Sequence, residues 1–400
     1  MDEVYKISED GKTLLGVKDK YVKEVVIPNG VVAIGDEAFI NCYDLQHVEI
    51  PDTVTSIGIR AFAECSSLDK IDIPDSVASI GKGAFILCYC LKHVNIPHSV
   101  RSIGDNAFYE CGYLKDISMS IGVESIGRGA FYGCTSLESI CIPHGVKSIG
   151  VGAFAYCCSL KHVRLPQTIT SIEIQVFSAC CSLAEINIPH SVTSIGESAF
   201  SGCMGLKEII IPDSVTSIGR KAFYLCRGLM AMNIPDSVTS IGDAAFRECT
   251  GLKSLTIPES VTDIGYETFQ QCEKLKEVSF PDSVTYIGSS AFMICKGLTS
   301  VTIPDWVTSI GDFSFDHCLK LVDVTIGAGV TRIGDWTFSW CRRLNRITSL
   351  ATTAPTIDSN TFYNVKSNGV LIVPQGCTEA YSMWMDCLRQ YNWTIQELTE

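Results

Sequence analysis

Twenty cysteines are the first residues that could do chemistry, and fourteen of them recur at steps of 23, from Cys42 through Cys203 to Cys341. Thiols in such number could cross-link or bind zinc. The period argues against both. Equivalent residues on successive coils of a repeat sit about 4.8 Å apart with parallel Cα–Cβ bonds, whereas a disulfide wants Cβ atoms about 3.8 Å apart with a defined torsion. A ladder of buried, reduced thiols acting as small apolar fillers is the expectation. Six cysteines stand outside the column: Cys90, Cys141, Cys158, Cys181, Cys377 and Cys387. Cys157-Cys158 and Cys180-Cys181 fall in register on adjacent coils and gather four thiols. Neighbouring residues on a coil point apart, so a tetrahedral site is not expected.

Histidines group in the same way. His47, His93 and His162 share one column, and His98, His144 and His190 share another. Members of each set lie two or three coils apart, roughly 10 to 14 Å, too far for one metal or a proton relay. No G-x-S-x-G elbow, H-E-x-x-H pair, phosphate loop or dinucleotide fingerprint occurs. Carboxylates such as Asp213 and Asp236 follow from repetition of Ile-Pro-Asp-Ser. The sequence therefore offers no catalytic, cofactor-binding or metal-binding residue, and a non-enzyme is expected. A net charge of −13 and a pI near 5.0 argue against nucleic acid as the main partner. Hydrophobic residues make up 46% of the chain but are dispersed at the repeat period, so no membrane span is expected.

The elements that must position these residues come from one unit, close to Ile-Pro-Asp-Ser-Val-Thr-Ser-Ile-Gly-x-x-Ala-Phe-x-x-Cys-x-x-Leu-x-x-Val-x, repeated fourteen times between Pro28 and Ser349 without insertion or deletion. Two further columns never vary: Phe39 through Phe200 to Phe338, and Leu45 through Leu206 to Leu344. A unit this small buries too little apolar surface to offset its chain entropy, so neighbours must stack and share one interior. The Leu45-x-x-Val48-x-Ile50 spacing reads as a short parallel strand with outward residues between inward ones. Proline at the next position ends it. Val-Thr-Ser-Ile-Gly then predicts a second, shorter extended stretch, its Gly serving a turn with positive φ. A brief helical turn through Ala-Phe-x-x-Cys is expected to fill the back of the coil. Fourteen strands about 4.8 Å apart predict an arc of roughly 65 Å.

This unit resembles the BspA-type, or Treponema-type, leucine-rich repeat, which reads LxxIxIPxxVxxIGxxAFxxCxxL. The likeness covers residues 22 to 349 almost without a break. Ser120 and Gly327 replace the proline, and Glu173 replaces the glycine. What the resemblance implies is a curved, right-handed, β-rich solenoid of about fourteen regular coils plus caps, from a gut Bacteroidota source. Residues 1–400 read as a single solenoid domain: an N-terminal hairpin and strand cap at 1–27, fourteen repeats at 28–349, a degenerate repeat at 350–374 and a helix and strand cap at 375–400. The opening Met1-Asp2-Glu3-Val4-Tyr5-Lys6 carries acids where a secretory signal carries a basic region. As written, this predicts a cytoplasmic chain, or a surface or secreted one if a signal has been removed.

In a repeat protein the invariant columns fill the core, and the outward strand positions form a continuous binding surface. One outward column is rich in lysine: Lys92, Lys115, Lys161, Lys207, Lys253 and Lys276. The next carries His47, Lys70, His93, Asp116 and His162, then Glu185, Glu208, Glu277 and Asp323. A third is small and polar apart from Arg164 and Ile210. These cations define a concave candidate face for a protein or glycan partner. Adhesion to host surface or matrix proteins is implied by the resemblance alone; an intracellular scaffold or inhibitor binding a cytoplasmic protein is the alternative, and a monomer is expected in either case. All five Trp lie in the last quarter of the chain. Trp384 and Trp393 are expected to pack in the cap, and Trp306 is the candidate exposed contact. A Thr column from Thr170 to Thr331 suggests ice binding only weakly, because the paired Thr-x-Thr rank is missing.

Overall fold

A computed structural model describes residues 4–399, so the first three residues of the N-terminal cap and Glu400 lie outside the described residues. The chain divides into two compact units, Met1–Gly205 and Leu206–Glu400.

In the first unit the apolar Leu-x-x-Val segments form eight parallel strands, from Glu24–Val26 to Glu185–Asn187. Register is i to i+23, as in His93↔Asp116 and His162↔Glu185. The three-residue strands bury their middle residue and expose the two beside it. That is the alternation expected of a strand with one face on a core. The Ser-Ile pairs make a second ladder of two-residue strands, from Ala33–Ile34 to Ser148–Ile149. At its start stands a hairpin, Tyr5–Ile7 antiparallel to Thr13–Val17, with Thr13–Val17 parallel to Ala33–Ile34. The ladder resumes at Ser171–Ile172 and Ser194–Ile195. Glu173 stands at that interruption, its carboxylate accepting the Ser171 hydroxyl at 2.6 Å.

The second unit carries nine strands on the long face, from Glu208–Ile210 to Thr394–Glu397. Its last two steps lengthen to 24 residues, Arg346↔Val370 and Val370↔Thr394. With eight strands before, the chain makes about 17 turns. The expected fourteen coils are exceeded because Glu24–Val26, Val370–Val373 and Thr394–Glu397 join the ladder as well. A short cap of Thr378–Tyr381, Ser382–Leu388 and Arg389–Tyr391 separates the last two strands. Trp384 and Trp393 are buried in it, their indole N–H groups donating to Pro355 O at 2.9 Å and Lys366 O at 2.7 Å. Among the described residues, no helix is long and apolar enough to cross a membrane.

The back of each coil differs from the helical turn that Ala-Phe-x-x-Cys predicts. It is a run of β-turns: Ala38 N donates to Gly35 O, Ile40 N to Glu37 O and Cys42 N to Phe39 O. Two positions per coil are left-handed, the columns of Glu37 and Asn41, and most of their occupants are not glycine. A non-glycine residue there costs about 1–2 kcal/mol. The offset is a second hydrogen-bond ladder, because Glu37, Phe39 and Asn41 N–H donate to Ile59, Ala61 and Ala63 O of the next coil at 2.7–2.9 Å. Column glycines serve another purpose than the expected positive φ. A Cβ at Gly81 would lie 2.6 Å from Gly58 C and O, so the residue permits backbone to stack on backbone.

Inside, the Phe rings stack face to face. Centroids are 4.8–5.7 Å apart in the first unit from Phe39 to Phe200, and 5.3–5.5 Å in the second from Phe223 to Phe338. Phe362 extends the second stack at 6.0 Å, and Trp384 closes it at 5.3 Å.

Candidate functional site: the outward strand columns

None of the twenty cysteines forms a disulfide, and the fourteen of the column are buried. Their invariance has a reason beyond size. From the second coil onward the column thiol donates to the carbonyl of the Phe one coil earlier, as in Cys65 to Phe39 O at 3.2 Å, Cys111 to Phe85 O at 3.2 Å and Cys249 to Phe223 O at 3.2 Å. That carbonyl already accepts the N–H of its own coil's Cys, so the thiol fills its second lone pair. Burial pushes these thiols well above the ordinary range, Cys272 to about 12, and a thiol kept protonated is neither a nucleophile nor a metal ligand. Outside the column, Cys158 and Cys181 are half-buried and both donate to Ala179 O, at 3.6 and 3.3 Å. Among the described residues, no group of three or more His, Cys, Asp and Glu could hold a metal ion.

The Thr column also has a backbone use. Thr239 Oγ1 donates to Thr216 O at 3.3 Å, and Thr331 to Thr308 O at 3.0 Å. The Ser of Pro-Asp-Ser acts likewise, Ser237 Oγ donating to Val215 O at 2.7 Å. Trp306 takes that Ser position. It is 64% exposed on the loop after Pro304, outside the strand columns. Trp336 and Trp340 occupy the two left-handed positions of one coil. Trp336 stacks on Phe313 at 6.2 Å and Trp340 on His317 at 5.3 Å, with Arg342 4.5 Å over the Trp340 ring.

On the strand face of the first unit, His47, Lys70, Lys92, His93, Lys115, Lys161, His162 and Arg164 all point outward and are exposed. Half of these side chains have acidic neighbours. Lys70 lies 2.7 Å from Asp72, Lys92 3.7 Å from Asp69, Lys161 2.9 Å from Glu138, and His162 3.4 Å from Glu185. The Lys161 ammonium holds the Glu138 carboxyl below its usual range. Such exposed pairs contribute little to stability. They do neutralise the face, leaving His47, His93, Lys115 and Arg164 without a carboxylate within 4 Å among the described residues.

The second unit differs. Lys207, Lys253 and Lys276 have no ion pair among the described residues, and between the first two lies an apolar patch that sequence reasoning noted only in part. Ile210 is 79% exposed, Met230 is 43% exposed, and Ala231 is exposed beside them. Ile210, Ala231 and Asn233 line a shallow groove of about 330 Å³ with Glu208 and Ser254. The signal that could have found this patch was the loss of polarity at three outward positions of consecutive coils.

Two parallel strand ladders per molecule, a turn-built back and a leucine column in the interior define a leucine-rich-repeat solenoid, a repeat scaffold for interaction. The model of the BspA type leucine rich repeat region matches residues 18–124, 101–230, 172–299, 216–345 and 262–386. The chain belongs to that family, whose repeat scaffolds are generally non-enzymatic. It is similar to a leucine-rich repeat protein from Bacteroides ovatus ATCC 8483, at 31% identity and a TM-score of 0.84, over 100% of this chain and 99% of that one. A leucine rich cell surface protein from Faecalibacterium prausnitzii A2-165 shares 25% identity over 86% of this chain and 92% of its own, with a TM-score of 0.43. A leucine-rich repeat protein from Eubacterium ventriosum ATCC 27560 shares 20% over 90% and 91%, with a TM-score of 0.42. No curated protein matches.

Proposed function

We propose that the chain is a non-enzymatic, monomeric scaffold that binds a protein through its strand face, with cell-surface adhesion as the setting the family suggests. One observation carries this reading: an exposed apolar patch, Ile210, Met230 and Ala231, flanked by the unpaired Lys207 and Lys253. Protein interfaces put their energy into a desolvated apolar centre ringed by polar groups, and this patch has that composition. The 23-residue register that continues through residue 205 supports one solenoid domain. An intracellular scaffold or inhibitor is the second reading, favoured by twenty cysteines with no disulfide among them, which suit a reducing compartment.

The test is binding of the chain to immobilised extracellular-matrix proteins, compared with the variants Ile210→Asp and Lys207→Glu/Lys253→Glu. Each should weaken binding about tenfold or more, an energy of about 1.4 kcal/mol, at an unchanged melting temperature. Undiminished binding by both variants would place the interface elsewhere. Sensitivity of the immobilised layer to protease, and not to periodate, separates a protein partner from a glycan. A signal sequence or lipobox encoded upstream of Met1 would favour adhesion over the intracellular reading.

A further inference from the structure

The first unit contains one place where the repeat is altered in three ways at once. Proline is replaced by Ser120, whose N–H donates to Ile96 O at 3.2 Å, a bond proline could not make. The strand before it, Asp116–Met119, is accordingly one residue longer than Ser139–Cys141. The second alteration lies in the column that follows proline. It is acidic at Asp52 and Asp75 and again from Asp213 to Asp305, but reads His98, Ile121, His144, Gln167 and His190 in between. Five consecutive coils thus lack this carboxylate in a chain whose net charge is −13. Third, the outward strand position that is polar and uncharged in most coils carries Arg164.

These changes meet in a groove of about 600 Å³ lined by Met119, Ile121, Cys141, His144 and Arg164, with Asp116 also on its wall. The volume is that of a small-molecule site. Ile121 is 72% exposed, and Met119 is half-buried beside it. Arg164 is exposed between Cys141 and Asn187 on the neighbouring strands, with no carboxylate within 4 Å among the described residues. The cation and the apolar wall are two coils apart, roughly 10 Å.

We infer that this groove binds an amphipathic monocarboxylate, its carboxylate on the Arg164 guanidinium and its apolar body lying past Cys141 onto Ile121 and Met119. A planar fork of N–H donors matches a carboxylate, and the neutral and histidine residues around it remove the repulsion an anion would meet on the rest of this surface. One arginine suits a single negative charge, and Asp116 on the wall disfavours a second. Free fatty acids and the C-terminal residue of a peptide share this chemistry. The span of two coils matches an extended chain of eight carbons.

The inference rests in part on reading the strand face as a binding surface, yet it can fail separately, because its test needs no protein partner and leaves Lys207, Ile210 and Lys253 intact. Isothermal titration of the full chain with octanoate should show one saturable site, with acetate and octanamide each about tenfold weaker or more. Arg164→Gln and, separately, Ile121→Ser should each weaken octanoate about tenfold without shifting the melting temperature. N-acetyl-leucyl-phenylalanine that displaces octanoate while its amide does not identifies a peptide terminus as the source; octanoate binding without such displacement identifies a fatty acid. Absence of saturable octanoate binding, equal binding of acetate, or unchanged affinity in folded Arg164→Gln would overturn the inference.

Discussion

The residue after the invariant Phe occupies one place in the coil, yet only the second unit fills it with charged and amide side chains. In the first unit the column reads Ile40, Ala63, Ile86, Tyr109, Tyr132, Ala155, Ser178 and Ser201; in the second it reads Tyr224, Arg247, Gln270, Met293, Asp316 and Ser339. Among the described residues, four buried side-chain atoms lack a hydrogen-bond partner: Arg247 Nε, Gln270 Oε1, Asp316 Oδ1 and Ser339 Oγ. All four belong to this column of the second unit. Asp316 is 4% exposed, and among the described residues its carboxylate has one side-chain partner, His317, whose Nδ1 lies 2.7 Å from Oδ2. The lesson is that a repeat fixes where a side chain goes and leaves its polarity free, and an unmatched buried polar atom is a local loss of about 1–3 kcal/mol.

Three experiments bear on that contrast, and the largest effect concerns what the units share. Desolvation raises the column thiols of both, seven from Cys42 to Cys180 and five from Cys249 to Cys341. A thiol whose pKa is raised in the native state leaves stability intact below its unfolded pKa, near 8.5. Above it the unfolded chain releases protons that the native chain keeps, so stability falls as pH rises. Each thiol removes about 1.4 kcal/mol per pH unit in that range. Melting temperature should therefore drop steeply between pH 8 and pH 10; a flat profile would mean that water reaches the thiols.

Next in size is the aromatic interior. Phe108→Ala and Phe269→Ala should each cost about 3–5 kcal/mol, since both rings are fully buried between stacked neighbours. Equal losses in denaturant melts would confine the difference between units to the neighbouring column. A much smaller loss for Phe269→Ala would extend it into the core.

Smallest, and most specific, is repair of the polar file. Asp316→Leu should stabilise by about 1–2 kcal/mol, because removing a half-partnered buried carboxylate relieves its desolvation. The reverse change, Ala155→Asp, should destabilise by about 1–3 kcal/mol. If Asp316→Leu lowers the melting temperature, the carboxylate has a partner that stabilises it.

Much of this was legible. The Phe, Leu and Ile columns, the reduced thiol ladder, and the outward placement of Lys70, Lys161 and Arg164 follow from the period and from the alternation of a strand. The composition of the polar file was also there to be read, as Arg, Gln and Asp in a column of Ile and Ala. Its consequence was not, because whether Asp316 finds a donor depends on the side chains one coil away. For the same reason the acidic neighbours of Lys70, Lys92, Lys161 and His162 were not foreseen. Neither was the patch at Ile210, Met230 and Ala231, since those residues come from separate columns and meet only when two coils are laid side by side.

The sequence by itself determined the coil: a 23-residue period with too little apolar surface per unit must stack, and stacking in constant register brings like residues together. Only the tertiary structure decided the conformation of its back. Taken alone, Ala-Phe-x-x-Cys prefers a helical turn, and most occupants of the Glu37 and Asn41 columns do not favour a left-handed backbone. In the solenoid the N–H groups at those positions reach the carbonyls of the next coil at 2.8 and 2.9 Å, and that ladder, repeated along the chain, outweighs the local preference.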